Sequence, residues 1–132
     1  MMQEYYDSLI TPWFAPPSEA FGIAWSILYV IIFLSFGYVL YLWYQQKVSF
    51  MTVLPFLLNI VFNALFTPIQ FWLQNNWLAL IDIVLVVITL VWAMITIYKH
   101  APIVMYAQIP YLLWVVFATI LQASITYLNW GL

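Results

Sequence analysis

No charged side chain interrupts residues 20–43, 51–73 or 101–128, and only Asp82 interrupts residues 77–98. Uncharged runs of this length dominate what the chain can fold into. About 20 apolar residues in a helix match the hydrocarbon thickness of a bilayer. Hydrocarbon also tolerates backbone only where every peptide group is bonded internally. Four runs, at about residues 20–43, 51–73, 77–98 and 102–128, are therefore read as four transmembrane helices. Their connections are short, at Gln45 to Ser49, Gln74 to Asn76, and Lys99 with His100, and short connections force neighbours antiparallel. The expected fold is an all-α integral membrane protein, a compact antiparallel helix bundle forming one domain over residues 1–132. Residues 1–19 form a Pro-rich outer loop. No basic segment precedes an apolar core there, so it is not a signal peptide.

Composition removes most other classes. Charged residues make up 5% of the chain, against about 25% in soluble domains. Two lysines and no arginine cannot build a nucleic-acid surface, so nucleic acid is not an expected partner. With no cysteine there is no disulfide framework, thiolate nucleophile or thiolate metal site. No Ser-His-Asp set, metal cluster or Gly-rich phosphate loop is present, so the chain is expected not to be an enzyme. His100 alone cannot supply two axial haem ligands, and no cofactor is required.

The second run carries the most information. Asn59, Asn63, Thr67 and Gln70 recur at i, i+4, i+8 and i+11 and so form one stripe on a helix. Phe66 shares that face. Polar groups facing hydrocarbon without partners are costly, so the stripe should turn inward. Pro55 and Pro68 free the carbonyls of Met51 and Ala64 and are expected to kink the helix. A kinked, polar, aromatic-lined face suits a ligand site, and it equally suits hydrogen-bonded glue between helices. In the third run Asp82 heads a stripe with Thr89 and Thr96. Its bland reading is an interfacial acid bonded to a neighbouring tyrosine, amide or helix end.

Aromatic residues reach 21% of the chain, more than interfacial belts need, and imply an aromatic-lined interior. Trp25 and Tyr29 are i, i+4, while Trp114, Ala118, Leu121 and Gln122 share a face on which Ala118 leaves room. Flat walls with amide donors suit a large planar ligand. Leu42, Tyr44 and Lys47 fit the loose cholesterol-type pattern, which aromatic-rich membrane proteins match by chance.

These residues also follow an ordered pattern. Pro12, Phe14, Pro16, Pro17, Gly22, Trp25, Leu28 and Tyr29 are followed by Leu58, Asn59, Asn63, Phe66 and Gln70. Ala79, Leu80 and Asp82 come next, and then Pro110, Tyr111, Trp114, Phe117, Ala118, Leu121, Leu128 and Asn129. The whole set resembles the TspO/MBR family, the tryptophan-rich sensory or translocator proteins. The resemblance implies a bundle, normally of five helices, that binds porphyrins, haem-like tetrapyrroles and in some members sterols, and that serves transport, breakdown or stress sensing. It implies a ligand site at Tyr5, Trp25, Tyr29, Asn63, Phe66, Gln70, Asp82, Trp114, Ala118 and Leu121, with protoporphyrin IX or a haem-like tetrapyrrole as the ligand.

The departures carry their own expectations. Tyr5 replaces the loop tryptophan, Phe14 the tryptophan before the proline pair, Phe62 a further tryptophan, and Gln122 a common asparagine. With Tyr5 in the loop, the resemblance implies tetrapyrrole binding without Trp-dependent breakdown. The family's first helix is expected to be missing, leaving a groove that a partner helix could fill. A structural subunit of a larger membrane complex is therefore the alternative to a stand-alone binder. Besides the lipid bilayer and a hydrophobic planar ligand, the partners this admits are a homodimer mate or the helices of such a complex.

Lys47 and Lys99 lie in connections on one side, and Glu4, Asp7 and Glu19 precede the first run on the other. The positive-inside rule puts both lysine loops in the cytoplasm and both termini outside, in a bacterial inner membrane. Single cysteines read this directly. Ser49→Cys should be shielded from an impermeant thiol reagent in intact cells while Ser8→Cys is labelled, and the reverse pattern would invert the topology.

Overall fold

The computed structural model describes residues 9–129, without the side chains of Ser18, Gln70 and Phe71. Five α-helices and one π-helical segment follow in order: α1 (Ser18–Tyr44), α2 (Phe50–Thr67), the π segment (Pro68–Trp72), α3 (Asn76–Tyr98), α4 (Pro102–Ala107) and α5 (Ile109–Leu128). They make four stretches long and apolar enough to cross a membrane, α4 and α5 forming the last together. The molecule is an all-α integral membrane bundle.

Helix α3 lies at its centre. Ala79, Asp82, Ile83, Val86, Thr89, Leu90, Ala93 and Ile97 are buried along it, a broad stripe flanked by α2 and α5. Helix α1 is the opposite case. Leu28, Ser35, Phe36, Val39 and Leu42 are buried, at i, i+7, i+8, i+11 and i+14, which is one narrow seam. Trp25, Ile31 and Ile32 flank this seam half-buried, and the opposite face of α1 is bare, with Phe33 78% exposed. In lipid an exposed apolar face is already well solvated, so a narrow seam suffices.

Side-chain amides tie the elements together. Asn59, on α2, donates to the Val86 carbonyl at 2.9 Å and to Thr89 Oγ1 at 3.2 Å on α3. Gln108 Nε2, at the junction of α4 and α5, donates to Ser35 Oγ on α1 at 2.7 Å. Gln122, on α5, donates to the Asn76 carbonyl at 3.2 Å. Asn129 clasps the peptide of Ile10, donating to its carbonyl at 2.8 Å and accepting from its N–H at 3.1 Å. The peptide of Ile10 is thereby fixed to the end of α5.

The prolines act unequally. Helix α2 stays α-helical through Pro55, whereas at Pro68 the backbone widens and Leu73 N–H reaches the Pro68 carbonyl at 3.0 Å, an i→i+5 bond. The last run, expected as one helix over 102–128, is interrupted at Gln108. Pro110 has no N–H for the Tyr106 carbonyl, and its ring crowds that oxygen.

Exposed aromatics ring both ends, with Trp13, Trp72, Trp77 and Tyr127 at one and Trp43, Tyr44 and Tyr98 at the other. Such rings settle at the headgroup level. Ile10 and Asn129 sit at the first end. Lys47, Ser49 and His100 share a depression at the second, so the two lysine-bearing connections occupy the same end.

Asn59 is fully buried, so its amide carries bundle stability. Asn59→Leu keeps the volume and removes the bonds. It should cost about 1–2 kcal/mol in reversible unfolding from mixed micelles, and Asn63→Leu, at a half-buried position, should cost less. Wild-type stability of Asn59→Leu would show that these links do not hold the helices.

Candidate functional site

A chain of hydrogen bonds crosses four elements. The Tyr29 hydroxyl on α1 donates to Asn63 Oδ1 on α2 at 3.5 Å, and Asn63 Nδ2 donates to the Tyr111 hydroxyl on α5 at 2.6 Å. The Tyr111 hydroxyl donates to Asn59 Oδ1 at 2.9 Å, and Asn59 passes the series to α3. The outermost link is the longest. The 3.5 Å contact at Tyr29 is at the limit of a hydrogen bond, so this hydroxyl is lightly held, while Tyr111 and Asn59 are committed and completely buried.

The lightly held end opens onto a groove. Between α1 and α2 lies an apolar channel of about 670 Å³, walled by Tyr29, Phe33, Gly37, Leu40, Ile60 and Asn63 among others, with Asn59 and Tyr111 at its floor. The groove is open beside Gly37, where a Cβ built on the backbone would meet nothing within 4 Å. No lysine, histidine or acid contributes to its wall.

An aromatic cluster adjoins it. Trp25 stacks on Tyr29 with centroids 5.5 Å apart and planes 28° apart. Trp25 also meets Trp114 edge-on at 6.4 Å and 89°, and Tyr111 at 6.4 Å. Phe21 and Phe117 extend the cluster on either side of Trp114, and Phe14 reaches it from the Pro-rich segment through Phe117. Tyr29 therefore belongs to both features, one face in the stack and one edge in the groove.

The candidates expected from the sequence are distributed as follows. Trp25, Tyr29, Asn63 and Trp114 come together in the stack and the hydrogen-bond chain. Phe66 is half-buried against the main core. Ala118 is packed into that core, and Leu121 lies in a smaller cluster with Phe14 and Phe117; neither lines the groove. Asp82 is 4% exposed, and its Oδ2 has no hydrogen-bond partner. The bland expectation of a bonded acid is not met at that oxygen. Trp114 Nε1 is likewise buried without a partner. Tyr5 lies outside the described residues, as does the side chain of Gln70.

Two residues at the floor are absent from the expected ligand set. Asn59 could have been found from its i, i+4 relation to Asn63, which places both amides on one line. Tyr111 carries no comparable spacing signal, since only the fold brings it between the two.

A family model, described as TspO/MBR family, matches residues 1–128. The chain is 35% identical over 127 residues to the membrane protein YtaB of Bacillus subtilis, covering 96% of this chain and 81% of that one. It is 34% identical to a tryptophan-rich protein TspO of Archaeoglobus fulgidus, covering 97% and 82% of the two chains. It is 31% identical to a tryptophan-rich sensory protein of Cereibacter sphaeroides, covering 97% and 78%. With its aromatic stack, its amide stripe and nearly its whole length matched, this chain belongs to the TspO/MBR family.

Proposed function

We propose that this chain is a non-enzymatic binding protein for a planar, hydrophobic ligand of the tetrapyrrole type, protoporphyrin IX or a haem-like molecule. The ligand is taken laterally from the bilayer between α1 and α2. The observation that carries this reading is the double placement of Tyr29, stacked on Trp25 and edging an apolar groove. A planar ring sliding along that groove extends the Trp25–Tyr29 stack. The lightly held Tyr29 hydroxyl and the Asn63 amide then orient the ring's polar edge. The groove's size falls within the range of about 300–1,000 Å³ typical of ligand pockets.

The name of the Cereibacter sphaeroides relative, a sensory protein, supports a role in which occupancy is the signal; transport along the groove is the other use of the same site. The reading includes a bacterial inner membrane with the Lys47 and Lys99 loops in the cytoplasm. Gly37 favours one second reading, because a small residue in an open apolar groove also permits close approach of another helix. That is the structural-subunit alternative.

Gly37→Phe separates these readings with little risk to folding, since the new side chain enters open space and glycine is a poor helix former. Porphyrin quenching of tryptophan fluorescence should show affinity falling at least tenfold, about 1.4 kcal/mol, with the unfolding temperature in detergent preserved. Wild-type quenching by Gly37→Phe, with loss in Ala118→Phe, would move the ligand into the aromatic cluster. No porphyrin binding by wild type, with comigration of other membrane chains on size exclusion, would favour the subunit.

A further inference from the structure

The groove uses none of the basic residues of the described chain, and those residues are not scattered. Lys47, Lys99 and His100 all lie at the end of the bundle opposite Ile10 and Asn129. Two of them, Lys47 and His100, line an open depression of about 390 Å³ together with Trp43, Gln46 and Ser49.

The backbone explains how Lys47 is seated. Helix α1 ends in a reversed turn in which Gln46 N–H meets the Trp43 carbonyl and Lys47 N–H meets the Leu42 carbonyl, each at 2.9 Å. This double closure is a Schellman turn. It holds Gln46 at φ 59, left-handed and unusual for a residue with a side chain. It also occupies the Leu42 and Trp43 carbonyls at the end of α1. Ser49 then starts α2, and its side chain makes no capping bond to that helix. Ser49 lines the same depression as Lys47. Lys47 and His100 converging on one concavity favour an anion there.

Nothing in the described residues neutralises the depression. The described acids are Glu19, in the first turn of α1 at the opposite end, and Asp82, inside the bundle. Its surroundings fix the kind of anion. Trp43, 44% exposed, forms one wall, and Tyr44 and Tyr98 are exposed nearby in the chain. Aromatic residues of this kind mark the level at which lipid headgroups lie.

We infer that the depression formed by Lys47, Ser49 and His100 is a binding site for the phosphate of an anionic membrane lipid. The glycerol backbone lies against Trp43 and the acyl chains run down the bare face of α1. The site is independent of the groove, so ligand binding there can fail while this site stands.

The test uses the full chain in neutral detergent, with phosphatidylglycerol and phosphatidylcholine as probes and native mass spectrometry counting retained lipid. Wild type should retain phosphatidylglycerol in preference to phosphatidylcholine. Lys47→Gln should lower that retention about fivefold, the effect of one basic residue near an anionic surface. His100→Gln gives a second reading should the first variant unfold, and Lys99→Gln, outside the depression, should retain lipid like wild type. Equal retention of both lipids by wild type overturns the site. So does an equal loss in Lys47→Gln and Lys99→Gln, which would show diffuse charge attraction. Inorganic phosphate that displaces the lipid and stabilises the protein as strongly would assign the depression to a free anion instead.

Discussion

The bundle depends on a carboxamide placed where no water can compete for it. Asn59 uses its oxygen for Tyr111 and its nitrogen for the Val86 carbonyl and Thr89, and so fixes α2, α3 and α5 against one another at one depth. Apolar packing alone would set that register weakly, because lipid tails compete with helix surfaces on nearly equal terms. A fully used amide has only one satisfactory arrangement. One helical turn away, Asn63 is half-buried and bonds the same tyrosine, but its oxygen holds Tyr29 only loosely. Two residues of one type on one stripe thus differ through depth: the inner one is fully bonded, and the outer one is held more loosely at its oxygen.

Backbone irregularity is confined to places where another group accepts the consequence. At Pro68 the ladder widens to i→i+5 at the end of a span, close to the loop that Asn75 then closes by accepting from Leu78 N–H. At Pro110 the interruption falls deeper. There the completely buried Gln108 bonds back to Val104 and across to Ser35. An interruption that would be costly in lipid becomes a hinge point between α4 and α5 and an anchor for α1.

Much of this was legible in the sequence because the constraint was coarse. Uncharged runs of membrane length admit little besides helices, and the spacing of Asn59 and Asn63 announces one polar line. The resemblance carried by the Pro-Pro segment, Trp25 and the stretch from Pro110 to Leu121 led to the same family that the comparisons show. What was not legible depends on contacts between distant segments. Gln108 sits in an uncharged run and gives no sign that Ser35, 73 residues earlier, will receive its amide. Tyr111 looks like one more interfacial ring until α2 supplies its two partners. Asp82 was expected to find a hydrogen bond, but one oxygen is left without a donor.

The groove beside α1 persists for a mechanical reason. Toward the termini, α1 is attached through Phe21 and Trp25, which abut Trp114. Farther along, Ser35 receives the Gln108 amide and Phe36 meets Phe56 edge-on at 4.8 Å. The groove opens on the lipid side of these anchors, and Gly37 contributes no atoms to fill it. Closing it would require α1 to rotate, and rotation would pull Ser35 off Gln108 and Trp25 off Trp114. A helix pinned along one edge and bare along the other keeps its cleft open toward the bilayer without a loop or lid, which is the geometry a ligand arriving through lipid requires.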